Sequence, residues 1–348
     1  MAVSEKRNGG PRLELSRAQI LAFRRHAGAL DERLPAGRRS LRRAAWAGLQ
    51  DSMPRAALLS IHARVEGAHA TSWADPSLVQ LWGPRFQVYV VAALDLPFFS
   101  LGRLPDDAKG RGRAEDLAER LRDVLGGADH LTYGQAGRAV GVHPNNLRYA
   151  APTGTVLIRW HGARAPTIWS VPRPEVDPTV ARLELARRYL HIFGPTTPRA
   201  FARWSSVHPR HAAAAFDALG RSLIPVRTPI GEAWILSQDE QAFRAAPGPE
   251  APARLLPSGD AYFLLWGDDR ALLVPEANRR DLLWTSRVWP GALLVGGEVV
   301  GTWRRAQTSV SAEPWRRLTR AERAAVEAEA ATFPLPGIDE PIGVRWDG

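Results

Sequence analysis

The chain has 348 residues, 45% of them hydrophobic, so it is long enough for two or three domains with an apolar core. It has no cysteine, which excludes disulfides and thiolate metal sites, and no histidine pair at metal-binding helical spacing lies beside a carboxylate. No signal sequence and no stretch of about eighteen apolar residues is present, so we expect a cytoplasmic protein without a membrane span. The net charge of +10 favours a polyanionic partner, although GC-rich codon usage also enriches arginine.

Residues 12 to 130 have mostly helical patterns. Ser16 is typical of an N-cap before the first amphipathic run. Residues 106 to 113 are charged and Gly-rich, which predicts a loop. Between the first helix and this loop, four arginines recur at helical spacing, namely Arg38, Arg39, Arg42 and Arg43. They either face DNA phosphates or form a solvated helix surface.

The middle of the chain contains a weak repeat with a spacing of 65 residues. Segments 132–144 and 197–209 each begin with a threonine suited to an N-cap and end in Val-His-Pro. The proline then suits the first turn of a second helix. Each segment therefore predicts a helix-turn-helix, in which the histidines, His143 and His208, act as turn or cap residues.

A β-hairpin is predicted after each helix-turn-helix. Residues 154–171 form two β-prone runs around a turn at 161–164, and residues 222–236 form a second pair around a turn at 229–231. Helix, turn, helix and hairpin in this order is the winged-helix plan, in which the second helix enters the major groove. The alternative is a helix-turn-helix module with a structural or protein-binding role.

The C-terminal third switches to β-rich patterns after a Pro/Ala linker at 245–258. Three apolar stretches read as strands, AYFLLWG, ALLVP and a hairpin whose turn is Gly296-Gly297. A charged helix follows, begun by Thr319 and Glu322 in a capping box.

The predicted fold class is therefore α+β, with tandem winged-helix motifs and a small C-terminal β-rich domain. We predict four regions, namely 1–130 as a helical or winged-helix region, 131–175 and 176–245 as winged helices, and 255–348 as the β-rich domain.

Two parts of the sequence resemble a known family. The run AGLQDSMPRAALLSIHARVEG at 47–67 resembles the active-site segment of the bacterial winged-helix DNA glycosylases that include AlkZ and YcaQ. The C-terminal stretches LLPSGDAYFLLWGDDRALLVP and WPGALLVGGEVVGTWRR are similar to that family's β-rich end. The resemblance implies tandem winged helices around DNA and removal of bulky alkylated purines, including those in interstrand crosslinks.

The catalytic signature is where this chain departs from the family. The family pattern is Gln, an intervening residue, then Gln or Asp, and the matching residues here are Gln50, Asp51 and Ser52. Gln50 matches the first position, whereas Ser52 replaces the second amide or carboxylate and Asp51 occupies the usually apolar middle. The resemblance therefore supports the fold and the ligand more strongly than the activity.

The three residues of this motif are the candidate catalytic residues. Cleavage of an N-glycosidic bond requires a positioned water and stabilisation of an oxocarbenium-like sugar. Gln50 could hold the water, Asp51 could supply negative charge or act as base, and Ser52 could bind a water or a phosphate. The alternative is that Asp51 and Ser52 only cap the helix beginning near Pro54. His62, within that helix, is interpreted as structural, with a place in the site wall as the alternative.

The expected partner is double-stranded DNA, with no metal, cofactor or obligate protein partner, and the chain is expected to be a monomer. The leading hypothesis is a DNA glycosylase acting on alkylated purines. A non-catalytic DNA-binding protein is the second, and a winged-helix scaffold for a protein or small molecule is the third. The candidate DNA-binding residues are Arg38, Arg39, Arg42, Arg43, Arg148, Arg159, His161, Arg164 and Arg210.

Overall fold

The structure, a computed structural model, describes residues 12–51, 55–126, 129–160, 162, 164–245, 251–306, 308–338 and 340–347. Helices and small sheets alternate along these ranges, giving a mixed α/β fold. Four helices begin at the caps that the sequence predicts, because each cap hydroxyl accepts the backbone N–H three residues on. These caps are Ser16, Thr132, Thr197 and Thr319.

The N-terminal region differs from the mostly helical prediction because it contains a small sheet. Strand β4 pairs antiparallel with β2 on one side and with β3 on the other. The β-branched and aromatic residues of β3 and β4 suit a buried sheet better than a helix. The elements are β1 (Leu13–Glu14), α1 (Arg17–Ala27), α2 (Arg38–Ala44), β2 (Leu49–Gln50), α3 (Ala56–His62), β3 (Leu78–Trp82), β4 (Val88–Ala92) and α4 (Leu96–Ser100).

The next segment contains a long helix, a helix-turn-helix and a hairpin. The long helix includes most of the predicted loop at 106–113, because Asp107 caps it by accepting the Gly110 N–H. After the turn, the second helix is a 3₁₀ helix, Pro144–Thr153. The elements are α5 (Ala108–Leu125), β5 (Leu131–Thr132), α6 (Tyr133–Ala139), β6 (Val156–Arg159) and β7 (Thr167–Ser170).

The third segment repeats this order, and its hairpin also confirms the sequence prediction. The elements are α7 (Pro178–Phe193), α8 (Pro198–Ser205), α9 (Pro209–Leu219), β8 (Leu223–Thr228), β9 (Gly231–Leu236) and α10 (Glu240–Arg244). Strand β1 pairs in parallel with β8, and Ile20 and Phe23 of α1 join the core under this hairpin. The start of the described chain therefore packs against its third segment.

The C-terminal region is a five-stranded sheet in sequential strand order, covered by one helix. The hairpin at Gly296-Gly297 and the helix after Thr319 are confirmed. The two other predicted strands are wrong: AYFLLWG contains a 3₁₀ turn and ALLVP lies mostly in a helix, because short apolar runs do not distinguish the two structures. The elements are β10 (Arg254–Leu256), α11 (Asp269–Leu273), α12 (Ala277–Leu283), β11 (Gly291–Val295), β12 (Glu298–Ala306), β13 (Ser309–Pro314), α13 (Arg320–Ala331) and β14 (Gly343–Trp346).

A buried ion pair fixes this C-terminal region against α3. Asp260 is fully buried and accepts two hydrogen bonds from the Arg64 guanidinium, each at 2.7 Å, and a third from the Ser60 hydroxyl at 2.7 Å. A charge-assisted bidentate pair of this kind is strong and directional. It therefore fixes the loop before Asp260 beside the end of β2.

Candidate active site and DNA-contacting residues

Gln50 is the last residue of β2, and its side chain lies between β4 and the C-terminal region. It is buried, and the Tyr89 hydroxyl donates to its Oε1 at 3.4 Å. On the other side lies Gly259, where a Cβ would come within 2.8 Å of the Gln50 Nε2. Because Gly259 also has a φ of +80°, this position favours glycine for two reasons. The close approach leaves the Gln50 amide little freedom.

The Asp51 carboxyl is almost completely buried, and both of its oxygens accept hydrogen bonds. Oδ1 accepts the Ala57 backbone N–H at 3.0 Å, and Oδ2 accepts from the Gln80 amide at 2.7 Å. Asp51 thus accepts an N–H from the first turn of α3, as the capping interpretation expects, although Arg55 occupies the N-cap position itself. Burial raises the pKa of Asp51 to about 6, against the opposing effects of these bonds and of the Arg55 charge. Asp51 therefore combines a contact to the first turn of α3 with a pKa well above that of an ordinary aspartate.

Gln80 connects Asp51 to the hairpin β6–β7, and the sequence interpretation missed it. Its side chain is buried, and its Oε1 accepts the Trp160 backbone N–H at 2.8 Å. This bond directs the amide NH₂ toward Asp51, because the oxygen is already engaged. The available signal was a glutamine inside the apolar strand LVQLW, since a buried amide needs specific partners.

Two arginines flank a buried tryptophan near this carboxyl. Arg55, in the left-handed region at φ 67°, places its guanidinium 4.1 Å from the centre of the Trp73 ring. Arg159, a predicted DNA-binding residue at the end of β6, lies 5.8 Å from the same ring centre. Cation–π contacts of this kind hold arginines in place without neutralising them. Positive charge is therefore maintained close to Asp51.

Two predicted site residues, Ser52 and His161, lie outside the described residues. His62 is buried at the end of α3, where its Nε2 contacts the Thr332 hydroxyl at 3.2 Å and its ring meets Phe333 edge-on. Burial, aided by the nearby Arg33 and Arg254, lowers the pKa of His62 to about 4. These contacts support the structural interpretation of His62.

The arginine stripe on α2 divides into two groups. Arg38, Arg39 and Arg43 are exposed. Arg42 instead donates to the fully buried Asp95, with its closest contact at 2.7 Å, and the carboxylate holds the pKa of Arg42 above its ordinary value. Arg42 is therefore held in an ion pair in this structure, because a buried carboxylate needs a cationic partner, and its assignment to phosphate contact stays a prediction.

The other predicted DNA-binding arginines differ in exposure. Arg164 and Arg210 are exposed, whereas Arg148 is half-buried with its guanidinium 5.3 Å from the Tyr149 ring centre. The two histidines of the repeat act as caps, since each Nδ1 accepts a backbone N–H, at 3.2 Å for His143 and 3.3 Å for His208. This confirms the prediction that they are cap residues.

Comparison with known proteins gives the family. The model of the AlkZ-like DNA glycosylase family matches residues 43–334. The chain belongs to this family. An interstrand DNA cross-link repair glycosylase of Streptomyces sahachiroi is 30% identical over 280 residues, which are 76% of this chain and 70% of that protein. The solved structure of the S. sahachiroi DNA glycosylase AlkZ superposes with a TM-score of 0.75 at 20% identity, covering 96% of this chain and all of the other.

These matches confirm the family resemblance and the interpretation of the chain as a DNA glycosylase, which is a hydrolase. The family match spans both the Gln50-Asp51 segment and most of the C-terminal sheet. In the ranges that the structure describes, no helix is long and apolar enough to cross a membrane. Within those ranges, too, His, Asp and Glu side chains form no group of three that could hold a metal.

Proposed function

We propose that this AlkZ-like glycosylase hydrolyses the N-glycosidic bond of alkylated purines in double-stranded DNA, with Gln50 and Asp51 as its catalytic residues. The proposal extends to bulky adducts and to interstrand crosslinks, the lesion named for the Streptomyces sahachiroi relative. The observation that carries it is the Asp51 carboxyl, adjacent to Gln50, buried, and held at a pKa of about 6.

The two residues would divide the chemistry between them. As the glycosidic bond breaks, positive charge develops on the sugar, and the Asp51 carboxylate would stabilise it in a site with little water. Gln50, held by Tyr89 and Gly259, would orient the attacking water through its amide. Ser52, the residue that follows Asp51 in the sequence, would contribute a hydroxyl that binds water or phosphate.

We further propose that segments 131–175 and 176–245 are winged helices that bind along one DNA duplex as parts of a single monomer. The support is the order of helix, turn, helix and hairpin in each segment. The exposed arginines, Arg38, Arg39, Arg43, Arg164 and Arg210, would contact phosphates.

The alternative is a non-catalytic lesion-binding protein, and one observation favours it. Both Asp51 oxygens are engaged in capping α3 and binding Gln80, and a serine occupies the second signature position. A carboxylate oxygen has a second lone pair, so capping and charge stabilisation are compatible.

Release of 7-methylguanine from duplex DNA by the purified protein separates these functions. We expect wild-type release, its loss in Gln50→Ala and Asp51→Asn, and a smaller reduction in Ser52→Ala. The controls Gln241→Ala and Asp123→Asn change exposed residues of the same type on α10 and α5 and should keep full activity. DNA binding without release of any alkylated base would favour the lesion-binding protein.

A further inference from the structure

Three arginines lie around the turn between β3 and β4 with incompletely paired guanidinium groups. One buried nitrogen of each has no hydrogen-bond partner among the described residues, namely Arg85 Nη1, Arg103 Nη2 and Arg148 Nε. Arg103 donates to the Ser205 and Trp82 carbonyls, which do not neutralise its charge, and burial lowers its pKa to about 9. Buried positive charge of this kind favours an anionic ligand nearby.

Each of these guanidinium groups lies over an aromatic ring. The distances to the ring centres are 4.6 Å for Arg85 over Trp266, 4.9 Å for Arg103 over Phe86 and 5.3 Å for Arg148 over Tyr149. Phe86 in turn meets Tyr149 edge-on, with 5.1 Å between the ring centres. Proteins that bind unpaired nucleotides combine cations and aromatic rings in this way, because the phosphate contacts the cation and the base stacks on the ring.

Tyr149 is the exposed ring of this group. It is 43% exposed, and it lies in the 3₁₀ helix Pro144–Thr153, the second helix of the first helix-turn-helix. The Arg148 Nη2 donates to its hydroxyl at 3.4 Å, and Phe86 packs against its ring. These contacts hold the ring from the protein side, so its exposed part is available for stacking on a planar group.

The turn between β3 and β4 also adjoins the candidate catalytic residues. The Asp51 N–H donates to the Val88 carbonyl at 2.7 Å, and Val88 is only two residues after Phe86. At the other end of the turn, a Cβ on Gly83 would come within 2.9 Å of the ring of Tyr89, the residue that binds the catalytic amide. The aromatic group is therefore next to the site in which the alkylated purine is proposed to lie.

The backbone of this turn is strained at two consecutive residues. Arg85 has a φ of 56° and Phe86 a φ of 55°, a region that residues with a Cβ adopt at a cost in free energy. Such strain persists where the surrounding structure enforces it, and it is concentrated at functional sites. Here it accompanies the contact of Phe86 with Tyr149 and that of Arg85 with Trp266.

We propose that Tyr149, Phe86 and Arg148 form a stacking site for the base opposite the alkylated purine. When a purine leaves its base pair to reach Gln50 and Asp51, its partner on the other strand is left unpaired. Tyr149 stacks on that base, and Arg148 binds the adjoining phosphate. This inference rests on the proposed function and extends it to the second strand.

The test uses two duplexes in which the fluorescent adenine analogue 2-aminopurine faces either thymine or a tetrahydrofuran analogue of an abasic site. The second duplex presents the same base without a partner. The Kd and the 2-aminopurine fluorescence are measured for both. We expect the wild type to bind the second duplex about tenfold more tightly and to quench its fluorescence, because stacking on one aromatic side chain commonly gives an effect of this size.

Four variants make the test specific. Tyr149→Ala should lose both the preference and the quenching, whereas Tyr149→Phe should keep them, because stacking requires the ring and not the hydroxyl. Arg148→Gln should weaken binding of both duplexes and reduce the slope of log K against log salt by about one. Trp346→Ala is the matched control, because this ring on β14 also has a guanidinium over it, that of Arg323 at 5.0 Å, and its loss should change neither result.

The outcomes separate this inference from the proposed function. Equal wild-type affinities for the two duplexes, or a preference that survives in Tyr149→Ala, would overturn the stacking site even if 7-methylguanine is released. A preference that depends on Tyr149, without release of any alkylated base, would support the stacking site and contradict the glycosylase function. An unchanged salt slope in Arg148→Gln would overturn the assignment of the phosphate to Arg148.

Discussion

The Gln80 side chain donates to the Asp51 carboxyl at 2.7 Å, although the two residues are 29 positions apart in the chain. The same amide accepts the Trp160 N–H at 2.8 Å, so one buried glutamine joins β3, the cap of α3 and the hairpin β6–β7. Two consecutive hydrogen bonds therefore link this hairpin to the candidate catalytic carboxyl.

The pKa of Asp51 predicts how base release depends on pH. Charge stabilisation requires the carboxylate, and burial raises the pKa of this group from 3.8 to about 6. We expect single-turnover release to fall as pH decreases, with a midpoint near pH 6, and to level off above pH 7. A rate that instead rises below pH 6 would assign Asp51 the role of an acid.

The same shift predicts a stability effect with a definite sign. Because the folded-state pKa of Asp51 lies above the unfolded value, the folded protein binds this proton more tightly than the unfolded chain does. The stability that this protonation contributes is fully present below about pH 4 and is lost as the pH rises to about 6. The free energy of unfolding of wild type minus that of Asp51→Asn should therefore decrease by on the order of 3 kcal/mol across this interval. Urea unfolding at several pH values measures it, and a constant difference would contradict the raised pKa.

Gln80→Leu tests whether this glutamine positions Asp51. Loss of the amide removes one hydrogen bond to the carboxylate, so the midpoint of the pH–rate profile should move above that of the wild type. It also leaves the partly buried Trp160 N–H without its acceptor, which should lower stability by about 1 kcal/mol. Gln241→Leu, on the exposed face of α10, is the matched control. A reduced stability with an unchanged pH midpoint would limit Gln80 to a structural role.

Local signals in the sequence were sufficient for much of the secondary structure. Hydroxyl caps such as Thr132 and the Gly296-Gly297 turn act within a few residues of chain, so they could be recognised directly. The ambiguous segments were short apolar runs such as ALLVP, whose conformation depends on tertiary packing.

The candidate site was only partly predictable, because most of its contacts join distant parts of the chain. Gln50 and Asp51 could be proposed from their resemblance to a family motif, but Gly259 meets Gln50 across more than two hundred residues. The pairing of Arg42 with Asp95 is likewise long-range, so helical spacing alone could not separate Arg42 from its exposed neighbours.

Gly259→Ala tests whether the close approach to Gln50 matters for activity. The added Cβ would lie 2.8 Å from the Gln50 Nε2 and would displace the amide. Gly337→Ala is a matched control, because Gly337 has a similar φ of +73° but no atom within 4 Å of the added Cβ. Both variants should lose about 1 kcal/mol of stability through backbone strain. The rate of base release should fall tenfold or more in Gly259→Ala and stay at the wild-type value in Gly337→Ala. Equal release rates in the two variants would show that Gln50 does not need this contact.

Because Arg39 of α2 is exposed and Arg42 is paired with a buried carboxylate, replacing each of them by alanine should have a different effect. Arg39→Ala removes an exposed cation, so it should weaken DNA binding and reduce the slope of log K against log salt by about one, with little change in stability. Arg42→Ala removes one of the two arginine partners of the buried Asp95, and Arg188 remains at 2.9 Å from that carboxylate. Stability should therefore fall by about 1–3 kcal/mol, whereas the slope of log K against log salt should stay at the wild-type value. DNA-binding titrations at several salt concentrations, together with urea unfolding of both variants, measure the difference. If Arg42→Ala reduced the salt slope as much as Arg39→Ala, the guanidinium would contact phosphate in the complex and the ion pair with Asp95 would open on binding.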